Sequence, residues 1–214
     1  GDQFGDGKNR RQVTIKPFRL GATEVTQGQW KAIMDSNPSK FKGDDRPVEQ
    51  VSWVDIQRFI KKFNARHGGK YRFRLPTESE WEYACREGGR KVRFCNGEDT
   101  ADPSEMNFDS SANYKEPYSH VGEYRQQTTP AGSFPPNSLG LYDMSGNVWE
   151  WTCSKYTDRY DGSEERCTDQ DVLYSLRGGS WNYGPERVRA ASRNYFSGYP
   201  GHRFYDLGFR LARD

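Results

Sequence analysis

The sequence has few aliphatic residues and no long apolar run. Only 33% of its 214 residues are hydrophobic, and the mean hydropathy is −1.08. A helix that spans a bilayer needs roughly 18 or more apolar residues in succession, and no window of the sequence supplies them. We therefore expect no membrane insertion.

The sequence also lacks a large excess of charge of either sign. It has 32 Lys and Arg residues against 30 Asp and Glu residues, which leaves a net charge of +2. A field this weak gives no reason to expect nucleic acid as a partner. The low hydropathy does not indicate disorder, because 12 Phe, 13 Tyr and 6 Trp residues can form an aromatic-rich core.

Cysteine is scarce too, with only Cys85, Cys95, Cys153 and Cys167. Four cysteines allow three complete pairings. Cys153 and Cys167 flank a turn-rich segment and form the simplest pair, whereas Cys85 lies in a helix-like segment and is equally consistent with a buried thiol. Disulfides would indicate an oxidising compartment, so we expect a periplasmic, cell-surface or secreted protein.

Periodic segments are short and predict three helices. Each begins at a Ser or Thr, and in the second and third helices an Asp or Glu follows three positions later, the spacing of a capping box. The predicted N-caps are Thr26, Ser52 and Thr77. In the N-terminal segment RQVTIKPFRL, the alternation of Val13 and Ile15 with polar residues predicts a strand.

Regular periodicity is absent between positions 91 and 137, where Asp, Ser, Asn, Gly and Pro dominate. This composition predicts a long ordered loop region. Short strand candidates follow in GNVWEWTC, SLRGGSW, RVRAASR and DLGFRLA. The pattern as a whole predicts one irregular α+β domain.

Motifs of common catalytic sites are missing. The sequence contains neither Gly-x-Ser-x-Gly nor His-Glu-x-x-His. His120 and His202 have no Cys or His at the spacing of a transition-metal site, and His67 ends a helical segment where it acts as a cation.

Five blocks occur in a fixed order along the chain. They are GATEVTQGQW, PVEQVSWVDIQRF, RLPTESEWEYACREGG, GSFPPNSLGLYDMSGNVWEWT and a C-terminal set of LRGGSW, RAASRN and LGFRLARD. Together they resemble the formylglycine-generating enzyme family, also called sulfatase-modifying factor, over nearly the whole chain. The resemblance implies one such domain at residues 1–214. Its fold would be C-type-lectin-like α+β, loop-rich, with a small twisted antiparallel sheet and a few flanking helices.

The resemblance also reveals a missing pair of thiols. The true enzymes of the family oxidise a cysteine in a sulfatase peptide to formylglycine with two copper-binding cysteines that follow the GGS signature. Here the matching positions are Tyr183 and either Gly184 or Pro185. Because Cu(I) requires soft ligands such as thiolates, we expect no copper and no sulfatase activation.

Calcium is the metal that the resemblance implies. The block YDMSGNVWEW matches a calcium site of the family, and calcium takes six to eight oxygen ligands. The matching ligands are the side chains of Asp143 and Glu150 and the carbonyls of Gly146 and Val148. A second family site maps onto the side chains of Asn107 and Glu123 and the carbonyls of Phe108 and Arg125. The alternative for the first block is a tight turn at Gly146 whose neighbouring tryptophans fill the core.

The segment between the GGSW and LGFR motifs carries aromatic residues separated by Gly, Ser and Pro. Such a composition is typical of binding surfaces. We predict a recognition surface formed by Tyr195, Phe196, Tyr199, Phe204 and Tyr205. The family resemblance places a substrate cleft on the same face, with a floor of Trp181, Asn182 and Tyr183. Its walls would be Arg187, Arg189, Tyr195, Phe196, His202 and Tyr205.

Two functions are consistent with this pattern. The first is a recognition domain for a protein, peptide or small-molecule ligand, similar to the members of the family that retroelements diversify between the same two motifs. The alternative is a bacterial periplasmic enzyme of oxidative tailoring, for example in the maturation of a siderophore chromophore. In that enzyme Tyr183, Glu186 or His202 would serve as acid or base.

Overall fold

The helices begin at the residues that the sequence predicts as N-caps. The computed structural model describes residues 12–195 and 198–214. In each helix the cap hydroxyl accepts a hydrogen bond from the backbone of the third helical residue, whose side chain bonds back to the cap. The helices are α1 Gln27–Met34, α2 Trp53–Arg66 and α3 Glu78–Cys85. No helix in this part of the chain is long and apolar enough to cross a membrane.

The strands are short and form two sheets. They are β1 Arg19–Leu20, β2 Phe73–Arg74, β3 Trp149–Lys155, β4 Tyr174–Arg177, β5 Arg193–Asn194, β6 Leu207–Gly208 and β7 Ala212–Arg213. The three-stranded sheet has the order β1-β7-β2, and the four-stranded sheet has the order β5-β4-β3-β6. All pairings are antiparallel except that of β3 with β6.

The N-terminal strand is shorter than predicted. Residues 12–18 have no regular structure, and pairing begins only at Arg19. The prediction of a strand around Val13 and Ile15 was therefore wrong. Pro17 gives the physical reason, because proline has no N–H to donate to a sheet.

The core is rich in aromatic residues, as the composition predicts. Trp30 of α1 stacks on Phe59 of α2 with ring centroids 5.2 Å apart. Phe209 meets both rings edge-on, at 6.1 Å and 5.5 Å. Trp151 of β3 is fully buried, and its indole donates to the carbonyl of Val51 at 3.1 Å. Large aromatic rings thus fill the core of a chain that has few aliphatic residues.

The predicted loop region is confirmed. Between positions 91 and 137 the regular structure is a single 3-10 turn at Ala112–Tyr114. Backbone hydrogen bonds such as Ala101 N–H to the Tyr118 carbonyl, at 2.9 Å, order the rest. Long loops ordered in this way can carry functional side chains.

All four cysteines form disulfides. Cys153 pairs with Cys167, as the sequence suggests, and their Cα atoms lie 4.6 Å apart. Cys85 is bonded to Cys95, so the alternative of a buried thiol does not apply. No thiol is free.

A buried ion pair joins the two sheets. Arg210, between β6 and β7, donates to both oxygens of Glu150 in β3, at 2.7 Å and 2.8 Å, and both residues are fully buried. Its remaining N–H groups reach the carbonyls of Gly21, Ala22 and Tyr142. The guanidinium therefore links β3 to the loop after β1.

We expect Arg210→Met to lower the free energy of unfolding by about 3–5 kcal/mol, because it leaves a buried carboxylate without its partner. Chemical denaturation measures the change. The matched control is Arg203→Met, which removes an arginine that holds Asp55 at 2.7 Å and 3.0 Å but is 52% exposed. The control should cost about 1 kcal/mol or less. Equal losses in the two variants would show that Arg210 is not central to the fold.

Candidate ligand-binding surface

A glycine turn after β4 sets the direction of the loop that carries Trp181. Gly178 and Gly179 both have positive φ, at 95° and 73°. A Cβ on Gly179 would lie 2.6 Å from the carbonyl oxygen of Arg187, so only glycine fits there. Beyond the turn, Trp181 N–H donates to the Asn147 carbonyl at 3.0 Å. The loop is thereby held against the turn that precedes β3.

Three aromatic rings surround Trp181. Ring centroids lie 5.4 Å away for Phe41, 5.7 Å for Tyr205 and 6.2 Å for Tyr124. We call Phe41, Tyr124, Trp181 and Tyr205 the Trp181 cluster. The Tyr124 hydroxyl donates to the side chain of Asn182 at 2.8 Å, which orients both residues.

The Trp181 cluster combines a buried base with an open edge. Trp181 is only 5% exposed, whereas Tyr205 is 37% exposed. The indole N–H of Trp181 is buried and has no hydrogen-bond partner among the residues described. An unpaired buried donor is costly, so this group would gain from an acceptor on a ligand.

Lys40 lies over the exposed edge of the Trp181 cluster. Its Nζ is 4.5 Å from the ring centroid of Tyr205 and 5.2 Å from that of Phe41. These are distances of cation–π contacts. The surface thus presents aromatic rings beside the ammonium group of a lysine.

Glu49 supports the loop that carries Lys40 and Phe41. It is fully buried, and its Oε1 accepts a hydrogen bond from Phe41 N–H at 2.8 Å. Its backbone N–H donates to the hydroxyl of Ser39 at 3.1 Å. Oε2 has no hydrogen-bond partner. Burial raises the pKa of Glu49 to about 7. The hydrogen bond from Phe41 N–H and the charges of Lys40 and Lys42 lower this pKa, but their effect is smaller than that of burial.

Tyr183 lies beside a second tryptophan. Its ring meets Trp149 edge-on at 5.8 Å, and 36% of Tyr183 is exposed. Burial of the hydroxyl raises the pKa of Tyr183. Next to this pair, Asp206 accepts from the Ser180 hydroxyl at 2.9 Å, and burial raises the pKa of Asp206 as well.

Three other predicted aromatic residues, Tyr195, Tyr199 and Phe204, contact rings outside the Trp181 cluster. Tyr195 contacts Tyr156, with centroids 4.6 Å apart. Tyr199, His202 and Phe204 form a chain of ring contacts at 5.2 Å and 5.8 Å. Phe196 lies outside the described residues. Of the predicted aromatic segment, Tyr205 is the ring that meets Trp181.

The predicted charged wall is only partly open to solvent. Arg187 and Glu186 are exposed, with 52% and 40% of their side chains accessible. Arg189 is buried and donates to the Glu186 carbonyl at 2.8 Å. Its burial points to a role in holding the loop rather than lining an open cleft.

Four residues of this surface escaped the sequence-based prediction: Lys40, Phe41, Glu49 and Tyr124. All are contributed by loops without periodicity. The one available signal is the pair of lysines around Phe41 in SKFKGDD, where an aromatic residue stands alone in a polar segment. That signal does not say which surface the ring joins.

The first predicted calcium site fits in part. Asp143 has one buried oxygen, Oδ1, with no hydrogen-bond partner in the described part of the chain, while Oδ2 accepts from Gly132 N–H at 2.6 Å. Burial raises the pKa of Asp143 to about 6. Glu150 has no such free oxygen, because Arg210 and the Trp81 indole occupy its carboxylate. The site at Asp143, Gly146, Val148 and Glu150 stays a prediction.

The second predicted calcium site also has one free ligand atom. Asn107 Oδ1 is buried and unpaired, while its amide nitrogen donates to the Gln127 carbonyl at 2.9 Å. The Glu123 side chain is 75% exposed and lies 3.9 Å from Arg125. Over residues 12–195 and 198–214, no three His, Cys, Asp or Glu side chains converge as a metal site. This site stays a prediction too.

We expect stability to fall as pH rises from about 4.5 to about 7, because Glu49 then loses a proton that the folded state holds more tightly. Glu49→Gln should remove this contribution. Relative to wild type, the variant should gain on the order of 2 kcal/mol in the free energy of unfolding between pH 5 and pH 8. Urea titrations at both pH values measure it. A constant difference across this range would mean that Glu49 is charged throughout.

The chain matches one protein family along its length. The model of the sulfatase-modifying factor enzyme 1-like domain covers residues 2–214. The formylglycine-generating enzyme of Mycobacterium tuberculosis is 36% identical over 217 residues, which cover 94% of this chain and 69% of that protein. The inactive C-alpha-formylglycine-generating enzyme 2 of Bos taurus is 35% identical over 170 residues, or 78% and 50% of the two chains. The chain spans about half the length of the mouse and bovine formylglycine-generating enzymes.

Solved structures confirm the predicted fold class. Treponema denticola variable protein 1 superimposes with a TM-score of 0.76 and 27% identity, over 92% of this chain and 84% of the other. PvdO from Pseudomonas aeruginosa superimposes with a TM-score of 0.70 and 25% identity, over 93% and 81%. Both share the loop-rich architecture with small sheets and few helices.

Proposed function

The chain belongs to the sulfatase-modifying factor enzyme 1-like family, and we propose that it is a recognition domain that binds a peptide or small-molecule ligand on the Trp181 cluster. The observation that carries this proposal is the cluster itself. A buried indole with an unpaired N–H lies beneath an exposed tyrosine and beside a lysine. Aromatic anchors of this kind provide most of the affinity in many interfaces.

The state of the cysteines supports recognition over copper-dependent oxidation. The segment from Gly179 to Arg193 contains no cysteine, and all four cysteines of the chain form disulfides. A thiolate must be free to bind Cu(I) or to attack a substrate. The bovine relative whose name describes it as inactive is consistent with a member of the family that has no oxidase activity.

The similarity to a variable protein of Treponema denticola also supports recognition. We extend the proposal to the segment between the GGSW and LGFR motifs, which would differ among sibling copies of the gene if retroelements diversify it. Tyr205 belongs to this segment, whereas Phe41, Tyr124 and Trp181 do not. Variation would then change one wall of the site and preserve its base.

An oxidative tailoring enzyme is the second candidate, favoured by the similarity to PvdO. In this function Tyr183 would act as an acid, because its phenol is protonated at neutral pH and the residue is 36% exposed. Glu186 and His202 are the other candidates for acid or base. An enzyme of this kind would change the mass of its ligand, whereas a recognition domain would return the ligand unchanged.

The two disulfides support an oxidising location, which we propose to be the periplasm, the cell surface or the extracellular medium. The net charge of +2 agrees with a peptide or small-molecule ligand, and we propose no nucleic acid as a partner.

We expect Tyr205→Ala to weaken ligand binding about thirtyfold, which corresponds to about 2 kcal/mol for an anchoring aromatic residue. The ligands are peptides selected from a displayed random library against the wild-type chain, and biolayer interferometry measures their affinity. The matched control is Tyr83→Ala, since Tyr83 is 42% exposed but lies on α3. The control should bind like the wild type.

Three results would contradict the proposal. Unchanged affinity in Tyr205→Ala would place the site elsewhere. A selected peptide whose mass changes on incubation would support the enzyme. Conversion of a Cys-x-Pro-x-Arg peptide to formylglycine by the copper-treated chain would show that the chain catalyses this oxidation without a free thiol.

We further propose that calcium stabilises the fold through Asp143, which has an unpaired buried oxygen. Calcium at about 100 times its dissociation constant would add about 2.7 kcal/mol of stability. A chelator should therefore lower the melting temperature of the wild type but not that of Asp143→Asn. Scanning calorimetry with and without calcium tests this. Equal melting curves for the wild type under both conditions would show that calcium does not stabilise the fold.

A further inference from the structure

Two arginines face each other across the three-stranded sheet. In the register of β1 and β7, Arg19 lies directly opposite Arg213, and in β2 and β7 Phe73 lies opposite Arg213. Residues that are directly opposite in an antiparallel pair lie on the same face of the sheet. The row of Arg19, Arg213 and Phe73 therefore forms one face, which we call the arginine face.

The other row of the sheet faces inward. Ala212 is 1% exposed, and Leu20 packs against a buried cluster that includes Trp81. Arg74, in the same row, binds Glu80 at 2.7 Å and the side chain of Asp214 at 2.7 Å. The acidic side chains near the sheet are thus bound on the side opposite to the arginine face.

No acidic side chain neutralises the arginine face within residues 12–195 and 198–214. Arg213 stacks over the ring of Tyr71, with its guanidinium carbon 3.7 Å from the centroid. Arg19 is exposed, and it forms no ion pair in the part of the chain that the structure describes. Like charges placed directly opposite each other destabilise a sheet. An anion between the two side chains would reduce this repulsion.

The electrostatic state of Tyr71 agrees with this geometry. A hydrogen bond from Arg213 lowers the pKa of the Tyr71 hydroxyl, and the positive charges of Arg213 and Arg19 lower it further. Lys70 contributes in the same direction through its own hydrogen bond to Tyr71. The charged groups that lower this pKa, Arg213, Arg19 and Lys70, are cations.

A cavity of about 340 Å³ opens beside the arginine face. Both Arg19 and Arg213 line it, together with the apolar side chains of Phe73, Val25 and Leu211 and the polar side chain of Gln29. This volume lies in the range of small-molecule sites. A lining that combines two cations with apolar residues matches a ligand with an anionic group on an apolar body.

We propose that the arginine face and its cavity bind a small organic oxyanion, a carboxylate or a phosphate ester attached to an apolar group. Arg19 and Arg213 hold the anionic group, since guanidinium groups bind carboxylate and phosphate in a bidentate manner. Phe73 and Leu211 contact the apolar body. The stacking of Arg213 on Tyr71 orients its guanidinium before the ligand arrives. The site shares no residue with the Trp181 cluster and does not depend on the proposed function.

The test is a titration of the isotope-labelled full chain, followed by NMR at constant ionic strength. The probes are benzoate, phenyl phosphate and the neutral benzyl alcohol. Both anions should cause saturable shifts at the amides of Gly21, Leu211 and Ala212, and benzyl alcohol should not. The tighter of the two anions decides whether the natural ligand carries a carboxylate or a phosphate.

Two variants connect the response to the arginines. Arg19→Gln and Arg213→Gln should each weaken the binding of the anions about tenfold or more, the effect of losing a hydrogen bond to a charged group. The control Arg58→Gln removes an arginine whose side chain is 69% exposed on α2, and it should leave the affinity unchanged. Amide spectra and melting curves verify that each variant is folded.

Several outcomes would overturn the proposal. Shifts that do not saturate, or that concentrate on other residues, would mean that the cavity is not the site. Equal shifts with benzyl alcohol would mean that the arginines do not select an anion. A folded double variant of Arg19→Gln and Arg213→Gln that binds as tightly as the wild type would exclude both residues as ligands.

Discussion

The architecture depends on the ion pair between Arg210 and Glu150. Both side chains are fully buried, and the indole of Trp81 donates to Glu150 at 2.7 Å. Burial of charge is costly unless every polar atom finds a partner, and this guanidinium reaches the carboxylate and three backbone carbonyls. The pair therefore requires β3, α3 and the loop after β1 to lie in one arrangement. Loops that have few aliphatic contacts are held in place by this polar centre.

Local features of the fold were predictable from sequence, whereas the meeting of distant loops was not. The caps of α1, α2 and α3 depend on residues three positions apart, so the sequence determines them directly. The alternation around Val13 predicted a strand that does not form, because Pro17 has no N–H to donate to a sheet. The overall architecture came from the family resemblance and not from periodicity. At the candidate site, Trp181 was predicted, but Phe41 and Tyr124 lie 140 and 57 positions before it in the sequence, and no local pattern encodes such contacts.

The aromatic segment near the C-terminus shows why composition alone could not define the site. Its central part is bound to the start of α2, where Gln50 N–H donates to the Phe204 carbonyl at 2.9 Å and Arg203 binds Asp55. Tyr199 and His202 contact each other, whereas Tyr205 contacts Trp181. Composition predicted an exposed aromatic segment, but backbone hydrogen bonds decide which face each ring occupies.

The strand order β1-β7-β2 has a consequence for how the chain folds. The central strand, Ala212–Arg213, follows both of its neighbours in the sequence, so neither Arg19–Leu20 nor Phe73–Arg74 has its partner in this sheet until that strand has been synthesised. Pairing between residues so distant in sequence slows folding, because a long loop must close before any contact forms. The strands β1 and β2 therefore stay without these pairings until β7 is present. A chain truncated before Ala212 would lose both pairings of this sheet at once.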